Sequence, residues 1–519
     1  MIKLDAHNRM PWFHANGVWA IGYCFDKNNA FVEKMDLVQL FSHVQTPQDI
    51  EALLHSINGL FSVIIEKENN TLLITDKTRI YPLFYTIEGD EICVSDNPDL
   101  LLPSKPRLNK QAVNEYQHSS VTLDSATLID GIFQVTPSSY CLFSNGKLAH
   151  KAYCSYTVRA NEILHSQEHE NVFENVLTQT FQRLIASACR KQLVIPLSGG
   201  FDSRLIVCML AKLGYTNVLC YTVGRPQNPE LILAQQVATT LGYPHIFISN
   251  EQTTDYVHDT TFQRYYAYST SYSNFFWMYE YFGVKKLVEE GLVDKDAIFV
   301  PGHSGDFLAG SQLQKAGITQ KSTLKEMSKA ILQQKFAYGK AERSIEITKR
   351  IERFVHERKD KLPYSIFDDF DVQIKLPKNI NNSARIYGFF GHEVRLPFWD
   401  NEILEFFRTL PIELKEEQTF FQNYVKNQVF APANVNFKKE LELPLWKIKG
   451  HRIKNILKQW IPSSILHQLS SPPDYTCMKE ISAPLLNDLP NKNQYGKANY
   501  NRIFLDWYLH QLLARYTKD

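Results

Sequence analysis

The sequence predicts an α/β protein with two domains: a β-rich N-terminal part, then a C-terminal doubly wound parallel sheet with many helices. The chain has 519 residues, which is too long for a single hydrophobic core. Residues 1–155 are a series of short apolar runs separated by turn residues, as in antiparallel sheets. From residue 192, strand-like and helix-like patterns alternate, which is typical of parallel crossovers.

The composition excludes several classes of function. Charged residues make up 21% of the chain and the net charge is +1, so no basic surface for nucleic acid or membranes is expected. No apolar run is long enough to span a bilayer, and the first residues include Asp5 and no apolar signal-peptide core. The eight cysteines are scattered without a CxxC pair, which argues against a zinc ribbon or a disulfide framework. We therefore expect a cytoplasmic protein that binds neither nucleic acid nor membrane.

The N-terminal part contains the strand-like runs GVWAIGYCF, GLFSVIIEK, TLLITD, EICVSD and SSYCLFSNGK. The runs FSVIIE and TLLITD are separated by residues 67–70, and this short spacing predicts a β-hairpin. A polar bridge over residues 156–171 then leads into a helix. Its apolar residues recur at helical spacing: Phe173, Val176, Leu177, Phe181, Leu184 and Ala188.

The segment from residue 192 predicts three parallel strands joined by helices. QLVIPL, NVLCYTVG and HIFIS are the strand-like runs, and Pro196 is expected at the end of the first because proline cannot pair inside a sheet. RLIVCMLAKLG predicts the first helix, with Gly214 at its C-terminus. The second helix is predicted to begin after Asn228 as N-cap, with Pro229 in its first turn, and to stop at Gly242.

The loop SGGFDS, between the first strand and the first helix, carries the clearest chemical signal. Ligands of open parallel sheets bind beyond the carboxyl ends of the strands, and a helix that begins there offers free N–H groups to an anion. Gly199 and Gly200 let the backbone approach a phosphate, and Ser198 and Ser203 add hydroxyl donors. Asp202 would repel a bare phosphate, so it indicates Mg²⁺ between carboxylate and phosphate. The alternative is a plain strand-to-helix turn capped by serine. Because the loop has no lysine, it is not a Walker-type P-loop.

SGGFDS resembles the PP-loop of the ATP pyrophosphatase superfamily, and the segments around it resemble asparagine synthetase-like enzymes. These segments are CYTVGRPQNPELILAQQVATTLGYPHIF, PGHSGDFLAG and GHEVRLPFWDNEILEFFRTLP. INGLFSVIIE, LLITDKTRIYPLFY, VSDNPDLL and GIFQVTPSSY are similar to the glutaminase-type domain of the same family. The resemblance covers most of the chain, in order. It implies an Ntn-hydrolase-like β-sandwich over residues 1–155, a linker over 156–171, and an ATP-binding, amide-forming domain over 172–519.

The resemblance implies a ligase that uses ATP and Mg²⁺. ATP adenylates a carboxylate with release of pyrophosphate, and a nitrogen nucleophile then displaces AMP to leave an amide. Asp202 and Asp306 would hold the metal ion; alternatively, Asp306 only caps the next turn. The positions that match the family's nucleotide-binding segments are Leu197, Ser198, Gly199, Gly200, Asp202, Ser203, Val223, Gly224 and Gly302.

Two further catalytic candidates come from the resemblance. Lys438 lies where the family has a lysine that would stabilise charge at the α-phosphate, and the alternative is a solvated lysine beside Lys439. Glu393 and Arg395 match an ExRxPF pattern of the family. Glu393 is therefore either a catalytic residue or one half of a structural ion pair.

The sequence departs from the family pattern at several positions. The family's glutaminase nucleophile is a cysteine directly after the initiator methionine, and this sequence has Ile2 there, so we expect no glutamine hydrolysis. His303 stands where the family usually has glutamate. A histidine with a pKa near neutral could accept the proton of an attacking amine, or it could only form a hydrogen bond in its loop. Phe307 and Glu440 replace an acidic residue and a glycine, which indicates a substrate pocket unlike one for aspartate.

These features predict ATP-dependent amide formation with an amine or ammonia, in polysaccharide or natural-product biosynthesis, as in relatives such as β-lactam synthetase and lasso peptide cyclase. The carboxylate would belong to a sugar acid, an amino acid or other small acid, or a peptide. The oligomeric state, including a homodimer, stays open. The alternatives are asparagine synthesis from aspartate and ammonia, and a catalytically silent interaction module. A PP-loop enzyme of tRNA modification would need a basic surface that the composition lacks.

Overall fold

The structure is a computed structural model. It describes residues 1–5, 9–44, 46–67, 70–164, 168–251, 255–338, 344–437, 474–490, 492–495 and 500–516. Two antiparallel sheets form the N-terminal domain, and a parallel sheet with helices forms the C-terminal domain. The predicted fold class, an α/β protein with a β-rich N-terminal domain, is confirmed.

The N-terminal domain contains ten strands and three helices among the described residues. The strands are β1 (Phe13–Ala15), β2 (Val18–Phe25), β3 (Phe31–Glu33), β4 (Asn58–Lys67), β5 (Asn70–Thr75), β6 (Phe84–Glu88), β7 (Glu91–Ser95), β8 (Phe133–Gln134), β9 (Ser139–Ser144) and β10 (Lys147–Ala152). The helices are α1 (Lys34–Ser42), α2 (Pro47–Ser56) and α3 (Lys110–Ser119). Strands β1-β2-β4-β5-β9-β10, with β3 beside β2, form a seven-stranded sheet, and β7-β6-β8 form a three-stranded sheet.

The two antiparallel sheets pack face to face. Ile64 and Leu73 of the large sheet lie in one buried cluster with Tyr85 and Val94 of the small sheet. The opposite face of the large sheet is covered by helices α1 and α2, whose Phe41 and Ile50 pack in a second cluster with Val63 and Ile74. Because β4 and β5 are buried on both faces, their sequences read as continuous apolar runs. The predicted hairpin between these strands is confirmed.

Helices α1 and α2 were not predicted from the sequence, although α2 carries a recognisable start signal. Thr46 and Asp49 form a capping box, in which each side chain accepts a hydrogen bond from the other residue's backbone N–H, and Pro47 occupies the first turn.

The C-terminal domain is built on five parallel strands. The elements up to the fourth strand are α4 (His169–Ala188), β11 (Leu193–Pro196), α5 (Phe201–Lys212), β12 (Val218–Gly224), α6 (Pro229–Leu241), β13 (His245–Ser249), α7 (Thr260–Thr270), α8 (Tyr281–Glu289) and β14 (Ile298–Phe299). The next are α9 (Gly305–Leu308), α10 (Ser311–Ala316), α11 (Leu324–Lys335), α12 (Ile345–His356), α13 (Pro363–Phe370), α14 (Leu376–Lys378), α15 (Ile380–Ser383), α16 (Arg385–Phe389) and β15 (Glu393–Val394). The last described elements are α17 (Asn401–Thr409), α18 (Ile412–Lys415), α19 (Thr419–Tyr424), α20 (Met478–Asp488) and α21 (Tyr500–Tyr516).

The strand order of the parallel sheet is β13-β12-β11-β14-β15. The chain moves outward from β11 to β13 and then crosses back to β14 on the other side of β11. Right-handed crossovers therefore place α5 and α6 on one face and the β13–β14 connection on the other. Strands β11 and β14 are neighbours whose following connections leave in opposite directions, so the crevice between their carboxyl ends is the topological switch point.

The local predictions for this sheet are confirmed. Pro196 is the last residue of β11, and Asn228 caps α6 by accepting a hydrogen bond from the Glu230 N–H. Gly242 ends α6 in the left-handed conformation with a φ of 74°. Helix α5 ends at Lys212, and Gly214 follows it with a φ of 75°.

The polar bridge before α4 differs from the prediction. Helix α4 begins at His169, inside the stretch predicted as a linker. The bridge itself lies against the C-terminal domain: Asp369 accepts a hydrogen bond from the Tyr156 N–H at 2.6 Å, and Ser365 accepts one from the Val158 N–H at 3.0 Å. Among the described helices, none combines the length and apolar character that crossing a membrane requires.

Candidate active site

A cavity of about 530 Å³ opens at the carboxyl edge of the parallel sheet. The end of β11, the first turn of α5 and the loop after β14 form one side, and residues of β12, α7 and the segment 277–280 form the other. The cavity therefore lies at the switch point, where the strand order predicts a ligand.

The SGGFDS loop lines this cavity and is held by its own serines. The Ser198 N–H donates a hydrogen bond to Ser203 Oγ at 3.0 Å, and the Gly200 N–H donates one to Ser198 Oγ at 3.1 Å. Gly200 is the N-cap of α5, in an extended conformation. Gly199 faces away from the cavity, because a Cβ there would lie 2.7 Å from a methyl group of Leu233. The loop thus places the N-terminus of a twelve-residue helix at the cavity.

The loop after β14 packs on α5 so closely that two of its positions require glycine. A Cβ on Gly302 would lie 2.8 Å from the backbone nitrogen of Ser203, and one on Gly305 would lie 2.6 Å from Cγ of Asp202. Both distances are shorter than real Cβ contacts. Gly302 is one of the predicted nucleotide-binding residues, whereas Gly305 was not predicted to belong to the site.

Asp202 and Asp306, the two predicted metal ligands, meet across this contact. The Asp306 N–H donates to Asp202 Oδ2 at 2.9 Å, and the Asp306 carboxylate accepts a hydrogen bond from Ser311 Oγ at 2.9 Å. Asp202 Oδ1 is buried and has no hydrogen-bond partner among the described residues. Burial, together with the charge of Asp306, raises the pKa of Asp202 to about 8.

This pair of carboxylates has the chemistry of a magnesium site. The described residues contain no group of three or more His, Cys, Asp or Glu side chains that could enclose a metal ion. Mg²⁺, however, is commonly held by one or two carboxylates together with water and substrate phosphates. The unpartnered Oδ1 of Asp202 is an oxygen that such a cation would satisfy. The two carboxylates are therefore compatible with Mg²⁺, which Asp202 and Asp306 would hold together with water and phosphate oxygens.

His303 lines the same cavity. Its Nε2 lies 3.5 Å from Ser383 Oγ, and its Nδ1 is buried with no hydrogen-bond partner among the described residues. Burial lowers the pKa of His303 to about 4. The expectation of a pKa near neutral is therefore wrong, because no described carboxylate is close enough to offset the loss of hydration. The ring is neutral at pH 7, so one of its nitrogens is an acceptor.

The remaining nucleotide-binding candidates lie near the strand ends. Leu197 extends β11 by donating from its N–H to the Tyr221 carbonyl at 2.8 Å, and its own carbonyl accepts from Thr222 Oγ1 at 2.7 Å. Val223 lines the cavity. Gly224 has a φ of 135° and touches another segment, since a Cβ there would lie 2.5 Å from the carbonyl oxygen of Tyr475.

Glu393 does not reach the cavity. It is level with Leu193 and Ile298, which are the first residues of β11 and β14, so it lies at the amino ends of the strands. Its carboxylate forms ion pairs with Lys191 and with the buried Arg395, both at 2.9 Å. These contacts favour the structural ion pair over the catalytic role. Lys438 lies outside the described residues.

The residues of one wall of the cavity were not predicted from the sequence. This wall consists of Tyr221, Tyr265, Trp277, Tyr279 and Glu280. The signal available in the sequence was the aromatic run SNFFWMYEY, which contains a single charged residue, Glu280.

The fold and the site define a class. A sandwich of two antiparallel sheets joined to a parallel α/β domain with an SGGxDS loop at its switch point is the arrangement of two-domain, amidotransferase-like proteins. Within that class, the chain belongs to the asparagine synthase family, whose sequence profile matches residues 176–468. The profile of the glutamine amidotransferase domain matches residues 38–154. The family resemblance found in the sequence is therefore confirmed.

Curated relatives agree with this assignment. A probable glutamine-hydrolysing asparagine synthetase of Acanthamoeba polyphaga mimivirus is 27% identical over 203 residues, covering 37% of this chain and 34% of the relative. A putative one of Methanocaldococcus jannaschii is 23% identical over 311 residues, covering 59% and 46%, and that of Gallus gallus is 23% identical over 293 residues, covering 53% and 44%. The chain thus spans a third to a half of the length of these relatives.

Among solved structures, a glutamine phosphoribosylpyrophosphate amidotransferase of B. subtilis aligns with 46% of this chain and 72% of its own. The identity is 11% and the TM-score is 0.19, and this similarity is too low to assign a fold or a function.

Proposed function

We propose that the protein forms an amide bond at the expense of ATP, through an acyl-adenylate. The substrate's carboxylate oxygen attacks the α-phosphorus, and the bond to the β-phosphate breaks to release pyrophosphate. An amine or ammonia nitrogen then attacks the acyl carbon, and the bond to AMP breaks. The observation that carries this proposal is the unpartnered Oδ1 of Asp202 beside the N-terminus of α5. Family membership supports it.

The loop and α5 would bind the phosphates. The helix N-terminus offers backbone N–H groups to an anion. The hydroxyl oxygens of Ser198 and Ser203 accept hydrogen bonds from the loop's own N–H groups, and a hydroxyl that accepts in this way can still donate its proton to a phosphate oxygen. Mg²⁺, held by Asp202 and Asp306, would neutralise charge on the phosphates.

His303 would accept the proton that the attacking amine loses. Its ring is neutral because burial lowers its pKa to about 4, and a protonated ring could not act as a base. Its Nδ1 is buried with no hydrogen-bond partner among the described residues, so no described group of the protein engages the lone pair or N–H at that nitrogen.

We further propose that the nitrogen comes from an amine or ammonia and not from glutamine. Thiol catalysis needs a thiolate, and burial raises the pKa of Cys24 and of Cys141, both in the N-terminal domain, to about 12. The protein incubated with glutamine should release no glutamate; turnover would refute this part of the proposal.

The acid is proposed to be larger than aspartate, such as a sugar acid or a peptide, in polysaccharide or natural-product synthesis. The buried Phe307 stands where the family pattern has an acidic residue, and aromatic rings form one wall of the cavity. Activity with aspartate and ammonia alone would instead identify an asparagine synthase.

An ATP–pyrophosphate exchange screen across carboxylates tests the adenylation step without requiring the correct amine. Asp202→Ala should abolish exchange, whereas His303→Ala should spare exchange and slow amide release. Asp296→Asn is a matched control, because Asp296 is exposed outside the cavity. If Asp202→Ala exchanges at the wild-type rate, the adenylation proposal is wrong. Equal loss of exchange in both variants would refute the separate role of His303.

A further inference from the structure

One wall of the cavity combines aromatic rings with one carboxylate. Tyr221, Tyr265, Trp277 and Tyr279 supply the rings, and Glu280 supplies the carboxylate. The Trp277 indole N–H donates to the carbonyl oxygen of Asn379 at 3.1 Å, and the Tyr265 hydroxyl donates to the Trp277 carbonyl at 2.7 Å. These hydrogen bonds fix the wall in place. None of its members has a part in the proposed adenylation chemistry.

Glu280 is directed into this wall and not toward its own helix. It is the N-cap residue of α8, yet its side chain makes no capping hydrogen bond. Instead, Oε2 accepts hydrogen bonds from the Tyr221 hydroxyl at 3.1 Å and the Tyr387 hydroxyl at 2.5 Å. The two tyrosines come from β12 and α16, so three separate elements hold the carboxylate at the cavity.

The Glu280 carboxylate has no cationic partner in the described part of the chain. Its side-chain hydrogen bonds come from the two phenol groups, and within the described residues no lysine or arginine forms an ion pair with it. A charge removed from water without a counter-charge is costly. Burial accordingly raises the pKa of Glu280. A cation bound in the cavity would offset this cost.

Aromatic rings beside a carboxylate form a recognisable surface for organic cations. The face of an aromatic ring attracts a cation within about 6 Å through its quadrupole, and an ammonium group donates hydrogen bonds to a carboxylate. We propose that Glu280 and the surrounding aromatic rings are the recognition site for an organic ammonium group of the substrates. The group would belong either to the amine nucleophile or to the acid that is activated. The role of this recognition site in catalysis rests on the proposed function, whereas its ability to bind an ammonium group does not.

The binding test uses benzylamine as probe and benzyl alcohol as its neutral isostere, titrated calorimetrically into the full-length protein without ATP. Wild type should bind benzylamine about tenfold or more tightly than benzyl alcohol, on the order expected for a desolvated cation contact. Glu280→Gln keeps an acceptor for the tyrosines and should reduce this ratio to about one. Glu290→Gln removes the same charge from an exposed position next to α8 and should keep the wild-type ratio.

A second measurement covers the case in which Glu280→Gln fails to fold. In the wild-type protein, benzylamine affinity should fall as the pH is lowered from about 8, because Glu280, with its raised pKa, gains a proton earlier than an exposed glutamate would while the amine stays charged. Benzyl alcohol affinity should not follow this trend. Equal affinity for the two probes at pH 8 would overturn the proposal. So would weaker ATP binding with unchanged amine binding in Glu280→Gln, since Glu280 would then contact the nucleotide.

Kinetics distinguish the two carriers of the ammonium group once the exchange screen has identified an acid. If the acid carries it, Glu280→Gln should raise the acid concentration needed for half-maximal exchange. If the nucleophile carries it, the variant should raise the amine concentration needed for half-maximal amide release. Both outcomes support the site, and an unchanged requirement for both substrates would overturn it. Amine binding in a protein without exchange activity would leave the site standing and remove only the proposed function.

Discussion

Asp202 and His303 line the same cavity, and burial moves their pKa values in opposite directions. The pKa of Asp202 rises to about 8 and that of His303 falls to about 4. Both shifts favour the uncharged side chain, so neither Asp202 nor His303 is fully charged at pH 7, whereas Asp306 and Glu280 also line the cavity. A divalent cation would reverse this for Asp202, because the ion stabilises the carboxylate. Metal binding should therefore release a proton at pH 7.

We expect Asp202→Asn to stabilise the ligand-free protein at alkaline pH. A folded-state pKa above the unfolded value of 3.8 means that the free energy of unfolding falls as the pH rises from about 4 to about 8. Above that range the wild type keeps a charged carboxylate whose buried Oδ1 has no hydrogen-bond partner among the described residues, at a cost of about 1–3 kcal/mol. Urea denaturation at pH 8.5 and pH 5 measures the difference. The gain from Asp202→Asn should be present at pH 8.5 and small at pH 5, and equal gains at both values would contradict it.

His303 should stay uncharged until the solution is strongly acidic. Its imidazole Cε1–H resonance, assigned by its absence in His303→Ala, should not shift between about pH 8 and pH 5.5. Exposed histidines titrate near 6.5 over that range and serve as internal controls. A midpoint near 6.5 for His303 would show that its ring is hydrated and would contradict the effect of burial on its pKa.

At the scale of elements, the segment from β11 through α5 and β12 to α6 could be predicted from sequence because its signals are local. Pro196 marks a strand end, two glycines mark a tight turn, and Asn228 with Pro229 marks a helix start. The sequence alone could not predict which distant groups surround each side chain. The surroundings of His303 and the position of Glu280 depend on residues eighty or more positions away, such as Ser383 and Tyr387. Glu393 shows the same limit. Its ExRxPF motif is formed by neighbouring residues, but its position at the amino ends of the strands depends on how β15 pairs with the distant β14.

Gly305 links the β14 loop to α5, and this contact can be tested by adding one methyl group. Gly305→Ala should push the Asp202 carboxylate from its position, because the new Cβ would lie 2.6 Å from its Cγ. We expect Mg²⁺-dependent ATP binding, measured by calorimetry, to weaken by at least about tenfold. Gly388→Ala is the control, since the nearest atom to a Cβ there is 3.3 Å away at the end of the Tyr268 side chain. Wild-type binding by Gly305→Ala would show that Asp202 does not need this position.

At the scale of the whole molecule, the two domains are joined by buried polar contacts. Arg183 of α4 forms a two-pronged ion pair with Asp400, with both N–O distances at 2.8 Å, and Asn58 of β4 donates to the same carboxylate at 2.8 Å. Arg79 of the N-terminal domain donates to Asn274 of the C-terminal domain at 3.1 Å, and both residues are buried. Because these groups lose water on assembly, each domain needs the other to satisfy them.

Asp400→Ala should therefore destabilise both domains at once. The change leaves the half-exposed Glu402 as the one carboxylate paired with the buried Arg183 among the described residues. It also removes the cap of α17 and the acceptor of the Asn58 amide group, so we expect a loss of about 3–5 kcal/mol. Hydrogen exchange should accelerate in β4 and in β11 alike, and the urea midpoint should fall. Glu174→Ala breaks an exposed ion pair with Lys212 and should cost less than about 1 kcal/mol. Faster exchange confined to the C-terminal domain would show that the N-terminal sandwich is stable independently of this contact.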